Sequence, residues 1–251
     1  MDDRRILAEE GETVTLSTTA GYLAFKPGFN AVKFYCASQW RMSLSPRLVH
    51  ALVYDGTIYT EYTASVIDRS TATHLPLDGM TTSEKLYLGC NEPFLGVYVD
   101  LHATNKNAVV ATLDVEYCST AVALGAAIAW TDVAGDSDGT ASGGATLAQD
   151  GVYTWTLPTP DSTWKRSALG TYAVPTHSKV YWIRMTPSTT LSTTIDVEEI
   201  IPVYQNANYG YMEAGLTYLY DWDMMRNGGL VFKATSGTPT LDVSWIKYAG
   251  G

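Results

Sequence analysis

The sequence predicts an all-β protein of the jelly-roll or β-sandwich kind, and three observations carry that prediction. First, the hexapeptides "TLDVEY" (112–117), "TIDVEE" (194–199) and "TLDVSW" (240–245) echo one another at unequal intervals, which speaks against a tandem array. Alternation explains the echo. Leu113, Val115 and Tyr117 fall on one side of a strand while Thr112, Asp114 and Glu116 fall on the other, and Leu241, Val243 and Trp245 repeat the apolar row. Such segments read as half-buried antiparallel strands with one wet face, so the aspartates need no chemistry to explain them. Second, only 17% of the 251 residues are charged and 46% are hydrophobic. The remainder is rich in Thr, Ser, Tyr and Gly, a mixture that suits pleated surfaces joined by turns. Third, no long segment carries a 3.6-residue period, whereas turn signals recur throughout.

Taken in order, residues 1–12 read as an exposed, charged arm with one helical turn in "RRILAEEGE". Strands are expected in "TVTLST", "YLAFKP" and "NAVKFYCAS", with Pro27-Gly28 as a turn. "SPRLVHALVYDG" is a helical turn leading into a strand, and Asp55-Gly56 is a hairpin turn. "TIYTEYTASVI" alternates as a further strand, and "RSTATHLPLDGM" as strand then turn. From Lys85 a second block offers two strands around Pro93, a third in "AVVATLDVEYCS", a Gly/Ser/Asp-rich loop in "AGDSDGTASGGATLAQDG", and strands in "VYTWTLP", "KVYWIRMTP" and "TTIDVEEIIPVY". The tail from Gln205 has two or three more strands, too few to stand alone. The domain reading is therefore an arm (1–12), a β-domain built from both chain ends (13–85 plus 205–251), and an inserted β-sandwich (86–204). One continuous sandwich is the alternative.

The formal net charge of −10 argues against a nucleic-acid coat, because phosphates would repel it. No run of 18 apolar residues suggests a membrane span, and the first residues lack the apolar core of a signal peptide. Cys36, Cys90 and Cys118 are widely spaced, without a zinc pattern, and read as buried thiols. Aligning "GDSDGTASGG" with a calcium loop through Gly139 leaves Ala134 and Ala145 at the terminal ligand positions; Asp136 and Asp138 then read as a solvated turn rather than a looser site. Glu116, Glu198 and Glu199 are the carboxylates to weigh for glycoside cleavage, but nothing in their spacing makes a pair converge. His50, His74, His102 and His177 have no partner at ligand spacing. The expectation is no catalytic residue, no metal and no cofactor. Aromatic residues are the one enriched group with binding potential: Trp155, Trp164, Tyr172, Tyr181 and Trp182 in the second block, and Tyr209, Tyr211, Tyr218, Tyr220 and Trp222 in the tail. They fit a core, a protein interface or a sugar-stacking surface.

The segments "LYLGCNEPFLGVYVDL", "ATLDVEY", "DGTASGGATLAQDGVYTWTLP" and "VYWIRMTPSTTL" resemble a β-sandwich pattern of tailed-bacteriophage structural proteins. "FKPGFNAVKFYCAS" and "GGLVFKATSGTPTLDVSWIK" are similar to the same kind of protein. The likeness covers most of the chain as texture rather than as an invariant signature, so it transfers no catalytic residues. It implies a non-enzymatic virion protein, a capsid decoration or cement protein assembled in the host cytoplasm. Its partners would be the major capsid protein and other virion proteins, and its oligomer a homotrimer. A tail, baseplate or head-fibre component with a receptor- or carbohydrate-binding role is the alternative. Candidate interface residues are Ile6 and Leu7 of the arm with Tyr209, Tyr211, Tyr218, Tyr220 and Trp222 of the tail.

Overall fold

The structure is a computed structural model that describes residues 6–17, 21–26, 29–45, 48–68, 70–121, 127–169, 179–203, 210–220 and 229–248. In chain order it begins with β1 (Ile6–Thr15), β2 (Gly21–Ala24), β3 (Ala31–Cys36) and β4 (Trp40–Ser45). Then come β5 (Leu48–Tyr54), β6 (Tyr59–Glu61), the short helix α1 (Thr63–Ile67), β7 (Leu75–Pro76), β8 (Lys85–Cys90) and β9 (Gly96–Leu101). These are followed by β10 (Leu113–Cys118), β11 (Trp130–Asp132), β12 (Ala134–Asp138), β13 (Gly151–Thr156), β14 (Arg166–Ser167), β15 (Val180–Pro187) and β16 (Asp196–Val203). The chain closes with β17 (Gly210–Met212), β18 (Thr217–Tyr220), β19 (Gly229–Ala234) and β20 (Thr240–Tyr248). Described secondary structure is nearly all antiparallel strand, as an all-β sandwich requires.

The chain divides into two compact units, a terminal one (Met1–Ser45 with Asn206–Gly251) and a central one (Pro46–Gln205). In the terminal unit the strand orders are β1-β20-β3-β18 and β17-β4-β19-β2. Its core is filled by Phe34, Trp40, Phe232, Leu241, Val243 and Trp245 among others, so the third echo has the phase its alternation predicts. The first residues differ from the sequence reading. Ile6–Thr15 is not an arm with a helical turn but a ten-residue edge strand, paired with β20 from Ile6↔Tyr248 to Thr15↔Thr240. Its carboxylates explain the difference. Glu9 pairs with Lys33 at 2.9 Å, Glu10 pairs with Lys26, and Glu12 accepts a hydrogen bond from the Trp245 indole at 2.5 Å. Charges along an edge also discourage pairing with a foreign strand.

The central unit has the strand orders β11-β10-β15-β8-β5-β6, with β14 on β15, and β12-β13-β9-β16-β7. The inner boundary lies at 45/46 rather than 85/86. The reason is register: β5 pairs with β8 through Leu52↔Tyr87 and Val53↔Leu86, β6 pairs with β5, and β7 pairs with β16. Strands β5, β6 and β7 thus take their ladder partners inside the central unit. The segment "TIYTEYTASVI" also breaks earlier than alternation suggests. The Thr63 hydroxyl accepts from the Ala51 N–H at 2.7 Å and donates to Glu61, and α1 turns Val66 into the core. Likewise, the start of the Gly/Ser/Asp-rich loop is strand β12, paired with β13.

In β10, Leu113 and Val115 are buried, Tyr117 packs half-buried against the core, and Asp114 is exposed. The middle echo behaves differently. Ile195, Asp196 and Val197 are all buried, and a register shift between Val197 and Glu199 breaks the alternation. Asp196 is satisfied there by the Asn105 amide at 2.6 Å and by His74 Nε2 at 3.1 Å. Cys36, Cys90 and Cys118 are buried free thiols. No helix among the described residues is long and apolar enough to cross a membrane.

Candidate functional site

Strand alternation sorts the larger central sheet into two faces. Leu86, Leu88, Val115, Ile183 and Met185 turn into the sandwich core. The opposite face carries His50, Leu52 and Tyr54 of β5, Lys85, Tyr87 and Gly89 of β8, Trp182 and Arg184 of β15, Asp114 and Glu116 of β10, and Trp130 and Asp132 of β11. Part of this face is covered. Trp182 is fully buried, stacks on the His50 ring at 5.4 Å and donates its indole N–H to the Ser167 carbonyl at 2.9 Å. It lies over Gly89, where a Cβ would come within 2.8 Å of the Trp182 ring.

The remainder presents a ribbon of rings. Tyr54 and Tyr59 flank the Asp55-Gly56 turn with centroids 4.6 Å apart. Tyr59 meets Tyr87 at 5.6 Å, and Tyr87 meets Trp130 at 5.5 Å. The turn is held by Asp55 Oδ1, which accepts the Thr57 and Ile58 N–H groups at 2.8 Å, and by Gly56 at φ +96°. The Tyr54 hydroxyl donates to the Gly56 carbonyl at 2.7 Å, which fixes the ring. Tyr87 is 5% exposed and forms the floor, while Tyr54, Tyr59 and Trp130 are half-buried.

Charges run through the ribbon. The Arg184 guanidinium lies 4.8 Å from the Trp130 ring centroid and forks onto Glu116, with Nη2 to Oε1 at 2.8 Å and Nε to Oε2. Burial, then Arg184, holds the Lys85 ammonium below its ordinary pKa. Burial, followed by Glu116 and Asp132, pushes the Asp114 carboxyl above its ordinary range. Burial likewise raises the Tyr59 and Tyr87 phenols, which share a hydrogen bond. The result is a sheet face of planar rings bordered by exposed Asp114 and Asp132. The rings are tilted by 35° to 59° to one another, so each can pack singly against a small apolar face, with the carboxylates accepting hydrogen bonds beside it.

The residues singled out from the sequence lie elsewhere. Ile6 and Leu7 are 51% and 55% exposed, but on strand β1. Tyr218 is half-buried against the terminal core, and its hydroxyl accepts the Glu213 N–H at 2.6 Å, so it serves the fold rather than a free surface. Tyr211 and Tyr220 fall in β17 and β18, with side chains outside the description; Tyr209, Tyr172, Trp222 and His177 lie outside the described residues. Trp155, Trp164, Tyr181 and Trp182 are core. Glu116 sits on one central sheet, Glu198 and Glu199 on the other. Asp136 accepts the Tyr153 hydroxyl at 2.7 Å, and Asp138 accepts the Thr140 N–H at 2.8 Å. Among the described residues no group of three or more His, Cys, Asp or Glu could hold a metal ion. A void of about 20 Å³ in the central core, lined by Leu86, Val99, Met185 and Ile200, has room for about one water and too few polar groups to hold it.

Sequence reasoning missed the ring ribbon. Its only linear trace is the pair Tyr54 and Tyr59 around an Asp-Gly turn; Tyr87 and Trp130 join through cross-strand register. Compared with known proteins, the chain matches no family model, no curated protein and no solved structure.

Proposed function

We propose that the chain is a non-enzymatic structural protein of a tailed-phage virion, a decoration or cement protein that stabilises the head by binding the major capsid protein. The observation that carries this reading is the strand order of the terminal unit. Numbered one to eight along that unit, its strands run 1-8-3-6 in one sheet and 5-4-7-2 in the other. We read this as the double Greek key of a jelly roll, an architecture that viral capsid, lectin and cupin domains share, with the central unit inserted between the fourth and fifth strands. Architecture alone does not assign function. The phage-like segments of the sequence supply the second support. Cement adds contacts between shell subunits, and many symmetric copies turn one modest interface into mechanical resistance through avidity. A trimer suits threefold positions of such a shell.

The aromatic face of the central unit favours one other reading, a tail, baseplate or head-fibre component with a receptor- or carbohydrate-binding role. Gold-labelled antibody against the purified chain separates the two on intact particles. Label spread over the head supports cement; label on the tail or fibres supports the alternative; particles without label overturn both.

A further inference from the structure

We infer that the ring ribbon of the central unit is a binding site for a neutral pyranose chain, an assignment that rests on the second, carbohydrate-binding reading for its biological setting. A pyranose presents two unlike surfaces, an apolar C–H face and a rim of hydroxyls. The sheet face offers the complement of both. Tyr54, Tyr59 and Trp130 leave part of each ring accessible, and each is held in place: Tyr54 by its bond to Gly56, Tyr59 by Tyr87, Trp130 by Tyr87 and Arg184. Rings already fixed lose little freedom on binding. Beside them, Asp114 and Asp132 are exposed and accept hydroxyl hydrogens, while the Glu116 carboxylate is committed to Arg184.

Length and charge narrow the ligand further. Centroid steps of 4.6, 5.6 and 5.5 Å from Tyr54 through Tyr59 and Tyr87 to Trp130 keep the ribbon short, a platform for a few linked sugars. Asp114, Glu116 and Asp132 outnumber Lys85 and Arg184 on this face, so uronic or sialic acids and nucleic-acid phosphates are repelled. A protein partner would want a centre depleted of charge. Here the Arg184–Glu116 ion pair packs directly against Trp130.

The test is a titration of the full chain with maltohexaose, laminarihexaose, chitohexaose and xylohexaose, and with oligogalacturonate as the acidic probe. Binding is read by calorimetry and by the Trp130 indole N–H resonance. At least one neutral probe should bind and move that resonance, and oligogalacturonate should not. Trp130→Ala and Tyr59→Ala should each weaken binding about tenfold, the loss of one well-placed ring. Tyr59 and Trp130 lie on separate three-residue strands at opposite edges of the sheet, β6 and β11, so either variant keeps the test valid if the other fails to fold. No binding by any neutral probe at millimolar concentration, equal binding by both variants and parent, or tighter binding of the acidic probe overturns the site. Failure of the site is distinct from failure of the setting: sugar binding by a chain that labels only heads keeps the site and removes the tail reading.

Discussion

Replacing Val115 with Asp tests the strand phase on which both faces of the central sheet depend. Val115 is 3% exposed, lies opposite Met185 in the β10–β15 ladder and shares the inward row with Leu113. The substitution removes about 1.5–3 kcal/mol of side-chain burial. It also strands a carboxylate in the core, a disruption that in buried pairs costs about 3–5 kcal/mol. Relief by protonation limits the sum, and we expect a loss on the order of 5 kcal/mol against a typical domain stability of about 5–15 kcal/mol. For a unit of this size each kcal/mol moves the midpoint by about 2–4 °C, so the central unit should melt roughly 10–20 °C lower. Scanning calorimetry is the assay, because two units can give two transitions. The neighbouring control, Asp114→Asn on the exposed face, should keep the parent's stability at neutral pH or raise it slightly, since it removes a carboxylate that Glu116 and Asp132 repel. The penalty should shrink as pH falls, since a carboxylate raised by burial becomes neutral. A Val115→Asp protein that melts with the parent at neutral pH would refute the phase, and with it the assignment of Arg184, Glu116 and Tyr87 to the opposite face.

Three further outcomes follow from the central unit. Burial, then the charges of Asp150 and Glu198, pushes Asp100 up to about 6. Its folded pKa thus exceeds the unfolded value near 3.9, and stability from this group falls as pH rises from about 4 to 6. Asp100→Asn should therefore raise stability at pH 7 by on the order of 1 kcal/mol, discounted because the group is only half-buried, and change little at pH 4 in urea titrations. A double-mutant cycle of Glu116→Ala and Arg184→Ala should give a coupling of about 1–2 kcal/mol that moderate salt barely changes, since the pair is bidentate and partly buried; a coupling near zero would make it an ordinary surface pair. Asn107 is 3% exposed and ties Val109, Thr146 and Ser192 together through both ends of its amide. Asn107→Ala should cost about 2–4 kcal/mol by denaturant midpoint and speed proteolysis near the exposed Val110.

Local pattern carried much of the fold. The inward rows of Leu113 and Val115, and of Leu241, Val243 and Trp245, were legible because one apolar face leaves a period of two in the chain. The Asp55-Gly56 hairpin was legible because glycine meets the positive φ that this tight turn adopts. What escaped was set by pairing between distant segments. Ile6–Thr15 reads as charged and loose until β20 supplies its partner. Residues 48–76 carry no mark that assigns them to β8 and β16 rather than to the tail. Asp196 breaks the echo because a register shift and two polar partners admit a buried carboxylate. The ring ribbon is the extreme case, since Tyr59, Tyr87 and Trp130 come from three strands and meet only through register.

Attachment to a phage head is read by mixing the purified chain with heads prepared without it, then measuring occupancy and the temperature at which DNA escapes. Saturable occupancy at a fixed number of copies per head and a higher release temperature are the expected result. Because β1 is part of the terminal fold, removing residues 1–10 should lower both by destabilising that unit, not by deleting a free arm. Heads that bind none of the folded chain, or that bind it with no change in release temperature, would contradict the cement reading.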